Sequence, residues 1–303
     1  MGLVKQFAMP RLGAMAKQFE KPWKICGMGW TLWGPMTCLC HNENRKQSKV
    51  LLWDQVIHDD TKPESQSSNE TIGNTYVEGE YVGFVGENGR VWVYDGRHMM
   101  PWFTTRFANA MTKHNGKVIM FDTDKGKISI RLCHDASSMT PAGTEIGTMP
   151  GSGIVMAACS FGGNIYAAVA DSKGGEGLAR NDNILLSLPG CLCVVPFADD
   201  LVYTSQNRVL TRRKGVVATL DCEKIMDAKV VGNHVYLAGA NPDSLWIGNA
   251  RGEIALVGRV KRGNKEVGGS CFRVRVMVDP HETEGYFGRT ADGDQGEVFE
   301  ILW

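Results

Sequence analysis

The sequence predicts an all-β protein built from repeated hairpins, and three observations support this fold class. Short apolar stretches rich in β-branched and aromatic residues alternate with turn residues, as in "YVGFVGENGRVWVYDG" from Tyr81 to Gly96. The 303 residues include 36 glycines, a content typical of a protein with many tight turns. The same hairpin pattern also recurs along the chain at a nearly constant spacing.

The spacing of the repeat predicts the architecture. Each copy begins with an apolar anchor residue, and the copies lie about 39 residues apart on average. These anchors are Val50, Tyr81, Val118, Ile165, Leu201, Val235 and Tyr286. A propeller blade of four strands takes about 40 to 45 residues. We therefore predict a single β-propeller of about seven four-stranded antiparallel blades, with six as the alternative because the first unit is poorly delimited.

Individual units divide into strands at their turn residues. The unit from Cys191 to Leu220 separates into "CLCVVPFADD", "LVYTSQN", "RVLTRRKG" and "VVATLD". The last unit, from Cys271 to Trp303, shows only three strands. In a closed propeller the missing strand often comes from the other end of the chain, which removes an exposed edge. We expect "WKICGMGWTLWG", Trp23 to Gly34, to supply that strand.

The first 22 residues carry no repeat, so we predict an N-terminal arm at 1–22 and a propeller at 23–303. Pro10 and Gly13 oppose one continuous helix in this arm. Its apolar side chains and one arginine are the predicted partner-binding residues: Leu3, Val4, Phe7, Met9, Arg11, Leu12, Met15 and Phe19. The arm is too apolar to stay in water, so it packs either on its own propeller or on a neighbouring subunit. Docking on a neighbour predicts that deleting Met1 to Lys21 abolishes assembly with little change in melting temperature.

The composition limits the classes of partner and the cellular compartment that we expect for this protein. Lysine plus arginine equals aspartate plus glutamate at 33 each, so no overall field favours nucleic acid. No apolar run approaches the roughly 18 residues that a membrane span needs, and no secretory signal is recognisable. The nine cysteines contain no CxxC pair, which indicates reduced thiols in a protein made in a reducing cytoplasm. Other protein subunits are the expected partners.

The sequence shows no complete catalytic or metal-binding motif, so we predict no catalytic residue, cofactor or metal site. None of the seven histidines lies in an HxH or HxxxH pair. "DTDKG" at Asp122 and "DGDQG" at Asp292, with Glu297 as a later ligand, could begin calcium loops, but both suit hairpin turns better. A propeller hydrolase or lyase stays open, because its acids and bases would gather at the central channel without forming a short motif.

The repeat resembles the β-propeller superfamily from Trp23 to Trp303. "SFGGNIYA" is similar to a kelch glycine pair, and "LLWDQ" contains the Trp-Asp of WD repeats, but neither subfamily pattern is complete. A compact propeller with a leader segment also resembles the propeller proteins of phage tails and nozzles. That resemblance implies a non-enzymatic structural or interaction protein that docks into a larger assembly such as a virion. A carbohydrate-binding or receptor-binding propeller is the main alternative.

Overall fold

The computed structural model describes residues 9–41, 47–59, 72–78, 81–86, 90–104, 108–124, 127–133, 144–149, 154–170, 176–181, 183–268 and 274–303. Their strands form seven four-stranded antiparallel sheets and one two-stranded hairpin. No helix occurs among these residues. Within the same ranges, no helix is long and apolar enough to cross a membrane. The protein is an all-β propeller whose blades are these four-stranded sheets.

The first strand, β1 (Arg11–Gln18), stands apart from the consecutive order of the next sheets. The first sheet contains β2 (Lys24–Thr31), β3 (Gly34–Cys40), β4 (Ser48–Leu52) and β5 (Gln55–Asp59). The second contains β6 (Ile72–Glu78), β7 (Tyr81–Gly86), β8 (Arg90–Tyr94) and β9 (Met99–Thr104). The third contains β10 (Ala108–His114), β11 (Lys117–Asp124), β12 (Lys127–Leu132) and β13 (Thr144–Met149).

The fourth sheet contains β14 (Ile154–Phe161), β15 (Asn164–Ala170), β16 (Glu176–Arg180) and β17 (Asn183–Ser187). The fifth contains β18 (Val194–Phe197), β19 (Asp200–Ser205), β20 (Arg208–Thr211) and β21 (Gly215–Thr219). The sixth contains β22 (Lys224–Val231), β23 (His234–Ala240), β24 (Ser244–Asn249) and β25 (Ile254–Arg259). The hairpin of β26 (Lys261–Arg262) and β27 (Lys265–Glu266) follows.

The last sheet, which we call the closing sheet, combines both ends of the chain. It contains β28 (Arg275–Val278), β29 (Gly285–Ala291) and β30 (Gln295–Leu302), and β1 is its outermost strand. β1 runs antiparallel to β30, from Arg11 opposite Leu302 to Gln18 opposite Glu297. This pairing covers one edge of β30 with backbone from the other end of the chain.

The repeat anchors mark equivalent strands in most sheets. Tyr81, Val118, Ile165, Leu201, Val235 and Tyr286 all lie on the second strand of their sheet. Val50 instead lies on β4, the third strand of the first sheet. The true second strand there, β3, reads "GPMTCLC" and has no β-branched or aromatic anchor at its start. The weak β signal of β3 explains the displaced anchor.

The prediction that Trp23 to Gly34 supplies the closing strand is wrong. That segment forms β2 and its turn, which begin the first sheet. β2 is buried at nearly every position, as an innermost strand with neighbours on both faces must be, whereas β1 is largely exposed. The closing strand is therefore Arg11–Gln18, from the segment assigned to the arm.

The boundary between an arm at 1–22 and a propeller at 23–303 is corrected accordingly. Phe19 is buried in a cluster with Ile25, Met28 and Val298, and Leu12 packs against the core of the sixth and closing sheets. A Cβ on Gly258 of β25 would lie 2.6 Å from Leu12 Cβ, so β1 also touches the sixth sheet closely. The chain from Arg11 onward belongs to the propeller. Leu3, Val4 and Phe7 lie outside the described residues.

Apolar clusters between neighbouring sheets form the core. Between the sixth and closing sheets, Tyr236, Leu245, Val276 and Phe287 are almost fully buried. Each large apolar side chain buried in this way contributes about 1.5 to 3 kcal/mol relative to exposure. The core is therefore a ring of layers, and each layer depends on both of its sheets.

A buried ion cluster crosses the same layer. Arg289 on β29 is 1% exposed, and its Nε lies 2.7 Å from Asp243 Oδ2 in the β23–β24 connection. Arg289 Nη1 donates to Glu297 Oε2 at 3.2 Å, and Glu297 Oε1 accepts from Gln18 Nε2 and Arg262 Nη2. Because both acids are buried, the arginine compensates charges that would otherwise be very unfavourable. This cluster links β1, the sixth sheet and the closing sheet.

Candidate functional site

Among the described residues, the most exposed large apolar side chain, Leu32, lies on one face of the propeller. The turns β2–β3 and β28–β29 lie on this face together, because β2 and β28 are equivalent first strands and pack side by side. The turns β4–β5 and β24–β25 lie at the same edge of their own sheets, since the strands alternate in direction. We call this side the turn face.

Two turns of the first sheet present an apolar patch on the turn face. Leu32, in the β2–β3 turn, is 70% exposed, and Trp53, in the β4–β5 turn, is 51% exposed. The Trp53 ring meets that of Trp30 edge-on, with centroids 6.1 Å apart. We call Leu32, Trp53 and Trp30 the apolar patch.

Trp53 has a backbone conformation that bulky residues rarely adopt. Its φ is 53°, in the left-handed region, and its N–H donates to the Pro35 carbonyl at 2.9 Å. The side chain lies over Gly34, where a Cβ would come within 2.2 Å of Trp53 Nε1. Gly34 therefore leaves room for the ring. The turn holds the tryptophan in a fixed, half-exposed position.

The closing sheet places acids beside this patch. Tyr286 on β29 donates its hydroxyl to Glu284, and Glu300 on β30 lies directly opposite Tyr286 in the strand pairing. Burial raises the pKa of Tyr286, and the bond to Glu284 and the charges of Glu300 and Asp54 raise it further. One carboxylate therefore contacts this hydroxyl, and the charges of two more act on it. We call Asp54, Glu284 and Glu300 the acidic seam, because they join the first and closing sheets.

Lys17 shows what the acidic seam can bind. Its Nζ forms an ion pair with Asp54 Oδ1, and the Asp54 side chain is otherwise 90% exposed. The ammonium also lies over the Phe19 ring, 5.1 Å from its centroid. β1 thus delivers one cation to the edge of the seam. The carboxylate of Asp54 is within reach of both solvent and a protein ammonium.

The β28–β29 turn that carries Glu284 is held rigidly by Asp279. One carboxylate oxygen accepts from the N–H groups of Thr283 and Glu284 at 2.6 and 2.7 Å, and the other accepts from His281 N–H and the Thr283 hydroxyl. Burial opposes ionisation of Asp279, but these hydrogen bonds outweigh it and lower the pKa below its ordinary value. The backbone beneath the acidic seam is therefore preorganised.

The same turn borders a cavity on its other side. This cavity, of about 480 Å³, lies between the sixth and closing sheets and is lined by Gly232, Asn233, His234, Asn249, Ala250, Arg251 and Glu282. Glu282 Oε1 lies 2.8 Å from His234 Nδ1 and accepts from the Tyr236 hydroxyl at 2.6 Å. Burial and this bond raise the pKa of Tyr236. The lining is mostly polar, with His234, Arg251 and Glu282 as its ionisable side chains.

The candidate metal and thiol positions have structural explanations where they are described. Asp294, in the sequence considered as a possible calcium loop, pairs with Lys24 at 3.1 Å, and Glu297 belongs to the buried arginine cluster. The described residues contain no group of three ligands that could hold a metal ion. Eight described cysteines are buried, and none of them forms a disulfide bond. Burial raises the pKa of Cys133 and Cys159 to about 12, which keeps these thiols protonated.

The predicted arm residues occupy several environments. Arg11 is exposed, and Met9 and Met15 are 50% and 47% exposed. Leu12 is half-buried against the core of the sixth and closing sheets, and Phe19 is buried within the propeller. The sequence analysis did not identify Leu32 and Trp53. The signal was present in "TLWGP" and "LLWDQ", where large apolar residues occupy positions that turns usually give to glycine or asparagine.

Comparison with known proteins supports the fold alone. No known protein family matches the chain, and no curated protein does. Among solved structures, a chain of the Mitotic Checkpoint Complex is similar with a TM-score of 0.62 and 10% identity over 96% of this chain and 95% of that chain.

Two further solved structures extend the comparison. The WD40 β-propeller domain of Doa1 gives a TM-score of 0.60 and 11% identity over 96% of each chain. BamB from Moraxella catarrhalis gives 0.52 and 14% identity over 95% of this chain and 87% of that chain. At such identities the similarity establishes a β-propeller and nothing about activity. The resemblance to phage tail propellers receives no support from these comparisons.

Proposed function

We propose that this protein is a non-enzymatic interaction module, a propeller that docks into a larger protein assembly through its turn face. The observation that carries the proposal is Trp53, a half-exposed tryptophan held at a φ of 53° on a rigid turn. A left-handed backbone costs a non-glycine residue roughly 1 to 2 kcal/mol. Glycine would avoid this cost and asparagine would reduce it, so we explain the exposed ring by contact with a partner.

The composition of the patch supports the same proposal. Tryptophan, tyrosine and arginine dominate the energetics of protein interfaces, because a large rigid ring buries much area at little entropic cost. Leu32 enlarges the patch, and Trp30 supports the Trp53 ring from below. The sheets beneath are buried and well packed, so little ordering is needed on binding. One of the similar solved structures is itself named as a multi-protein complex.

We extend the proposal to the compartment and to the kind of assembly. Eight buried cysteines that form no disulfide bond favour synthesis in a reducing cytoplasm. Incorporation into a virion is a narrower form of the assembly proposal, and its support is the resemblance of the leader and propeller arrangement alone. The absence of enzymatic activity is likewise proposed.

The test is the native mass of the protein in its natural extract, measured by sedimentation and light scattering. We compare the wild type with Leu32→Ser combined with Trp53→Asn, and with Val216→Thr as the control. Val216 is 50% exposed on β21, far from the patch in the fold. A large complex that is lost only in the double variant supports the proposal. A double variant that enters the same complex as the wild type contradicts it.

The cavity at Glu282 favours a second candidate function, the binding of a small polar ligand such as a carbohydrate. Its volume of about 480 Å³ lies within the usual range for ligand pockets. Asn233, His234 and Arg251 provide polar groups at its wall. A glycan array distinguishes this candidate: binding that Arg251→Ala abolishes while the apolar patch is intact would favour the ligand-binding function.

A further inference from the structure

We propose that the apolar patch and the acidic seam together bind a basic segment of a partner protein, one that carries lysine or arginine beside apolar side chains. This inference rests on the proposed function and specifies the chemistry of the partner. It uses two observations that arise independently, the exposed tryptophan of the first sheet and the carboxylates that chain closure brings beside it.

The negative charge of the acidic seam favours a positively charged partner. Asp54 and Glu300 are exposed and Glu284 is half-buried; Glu284 accepts the Tyr286 hydroxyl, Glu300 lies opposite Tyr286 in the strand pairing, and the charge of Asp54 acts on the same hydroxyl. Lys17 is the cation that the protein itself places there, paired with Asp54. Three carboxylates against one ammonium leave the seam negative, so a positively charged segment is attracted and an anionic one is repelled.

The aromatic group beside the seam fits the same partner. A lysine or arginine side chain has an apolar stem and a charged end. Trp53 and Asp54 are consecutive residues of the β4–β5 turn. The stem can therefore pack on the Trp53 ring while the charged end reaches the carboxylates. The ring face itself also attracts a cation. Lys17 already shows this combination, since its ammonium lies over Phe19 and contacts Asp54.

Other occupants fit less well. Nucleic acid and an anionic membrane surface would bring phosphates against Glu284, Glu300 and Asp54. A purely apolar partner would cover exposed carboxylates without compensating them, which is unfavourable. A second copy of this chain is a further possibility that the experiment separates, because it would form complexes without any added partner.

The experiment measures binding of a labelled peptide, KLKAKLK, by fluorescence anisotropy, with ELEAELE as the opposite-charge control. The protein variants are Trp53→Asn, Asp54→Asn combined with Glu300→Gln, and Asp292→Asn. Asp292 is an exposed acid in the β29–β30 turn, at the opposite edge of the closing sheet, and serves as the matched control. Thermal melting of each variant verifies that the propeller is folded.

We expect binding of the basic peptide only, weakened at least about tenfold by either patch or seam variant and by less than about twofold by Asp292→Asn. Raising the salt concentration from about 50 to about 500 mM should also weaken it. Equal binding by all variants, preferential binding of the acidic peptide, or self-association of the free protein through this surface would overturn the inference. So would binding of vesicles that contain anionic lipid in place of the peptide.

The two proposals fail in different ways. If Trp53→Asn prevents assembly in the natural extract but the variant lacking Asp54 and Glu300 assembles normally, the docking proposal stands and the basic-partner inference is wrong. If neither variant affects assembly, both proposals are wrong. If both variants prevent assembly and only the basic peptide binds, both are supported.

Discussion

The first and sixth sheets have the same architecture, but the turns that they present on the turn face differ in their residues. Both pair their first two strands with a register shift at the same relative place, after Ile25 in one and after Ile225 in the other. The sixth sheet makes its turns from Gly232 and Gly252, both at positive φ, and from an Asn249 side chain that accepts two backbone N–H groups. The first sheet instead exposes Leu32 and Trp53.

This comparison separates folding requirements from binding requirements. The sixth sheet shows that glycine and asparagine are sufficient to reverse a strand in this propeller. The large side chains of the first sheet are therefore not needed for the turn geometry. The fold explains where the apolar patch is held, and the proposed interaction explains why it is apolar.

The largest expected effect concerns the closing strand, which anchors the first sheet beside the closing sheet. Deletion of residues 1–20 should unfold or strongly destabilise the protein, because burial of Leu12 and Phe19 alone contributes about 3 to 5 kcal/mol and β1 pairs along β30. Deletion of residues 1–8 is the control, and we expect a nearly unchanged melting temperature. Urea unfolding of both truncations checks this. Equal stability of the longer truncation would contradict the assignment of β1 as the closing strand, and would restore the earlier expectation for the arm.

The next expected effect concerns stability, and it compares the buried arginine of the closing sheet with an exposed arginine of the sixth sheet. Arg289→Ala removes the buried guanidinium from Asp243 and from Glu297, which keeps only its contacts with Arg262 and Gln18 on one carboxylate oxygen, so we expect a loss of about 3 to 5 kcal/mol in the free energy of unfolding. Arg251→Ala, on an exposed turn of the sixth sheet, should change it by less than about 0.5 kcal/mol. Denaturant titration measures both. A small change in the free energy of unfolding on Arg289→Ala would contradict the role of the arginine as the cation that stabilises the buried acids.

A smaller effect tests the rigidity of the turn beneath the seam. Asp279→Asn should lower the free energy of unfolding by about 2 kcal/mol, because an amide accepts fewer hydrogen bonds than the carboxylate. The folded-state pKa of Asp279 is lowered, so its contribution is present above the ordinary aspartate pKa and is lost as the pH falls through the folded value. Melting temperatures measured at pH values from about 6 down to about 2 should therefore converge between wild type and variant. A constant difference would contradict the assigned charge.

The sequence could predict most of the blade repeat but not its closure. Second strands such as β19 and β23 begin with clear β-type residues and are bounded by turn residues, so their positions follow from local chemistry. β1 reads "RLGAMAKQ", which has no period-two pattern and contains glycine and alanine. It becomes a strand because β30 offers an open edge, which is a tertiary effect that local propensity does not contain.

The candidate site was hidden for a related reason. Asp54 and Tyr286 are far apart in sequence, and they meet only because the last sheet packs beside the first. The exposure of Trp53 cannot be read from its residue type either, since Trp92 in the second sheet is buried whereas Trp53 is half-exposed. Sequence alone identified the apolar arm, of which the part from Arg11 to Phe19 is now placed in the propeller.

The most direct test of the central claim measures stability and association on the same variant, Trp53→Asn. If the tryptophan is retained for binding, its replacement by a residue suited to a left-handed turn should change the free energy of unfolding by less than about 1 kcal/mol and should abolish entry into the native complex. A variant that loses several kcal/mol while it still assembles would show that Trp53 serves the fold, and would contradict the account.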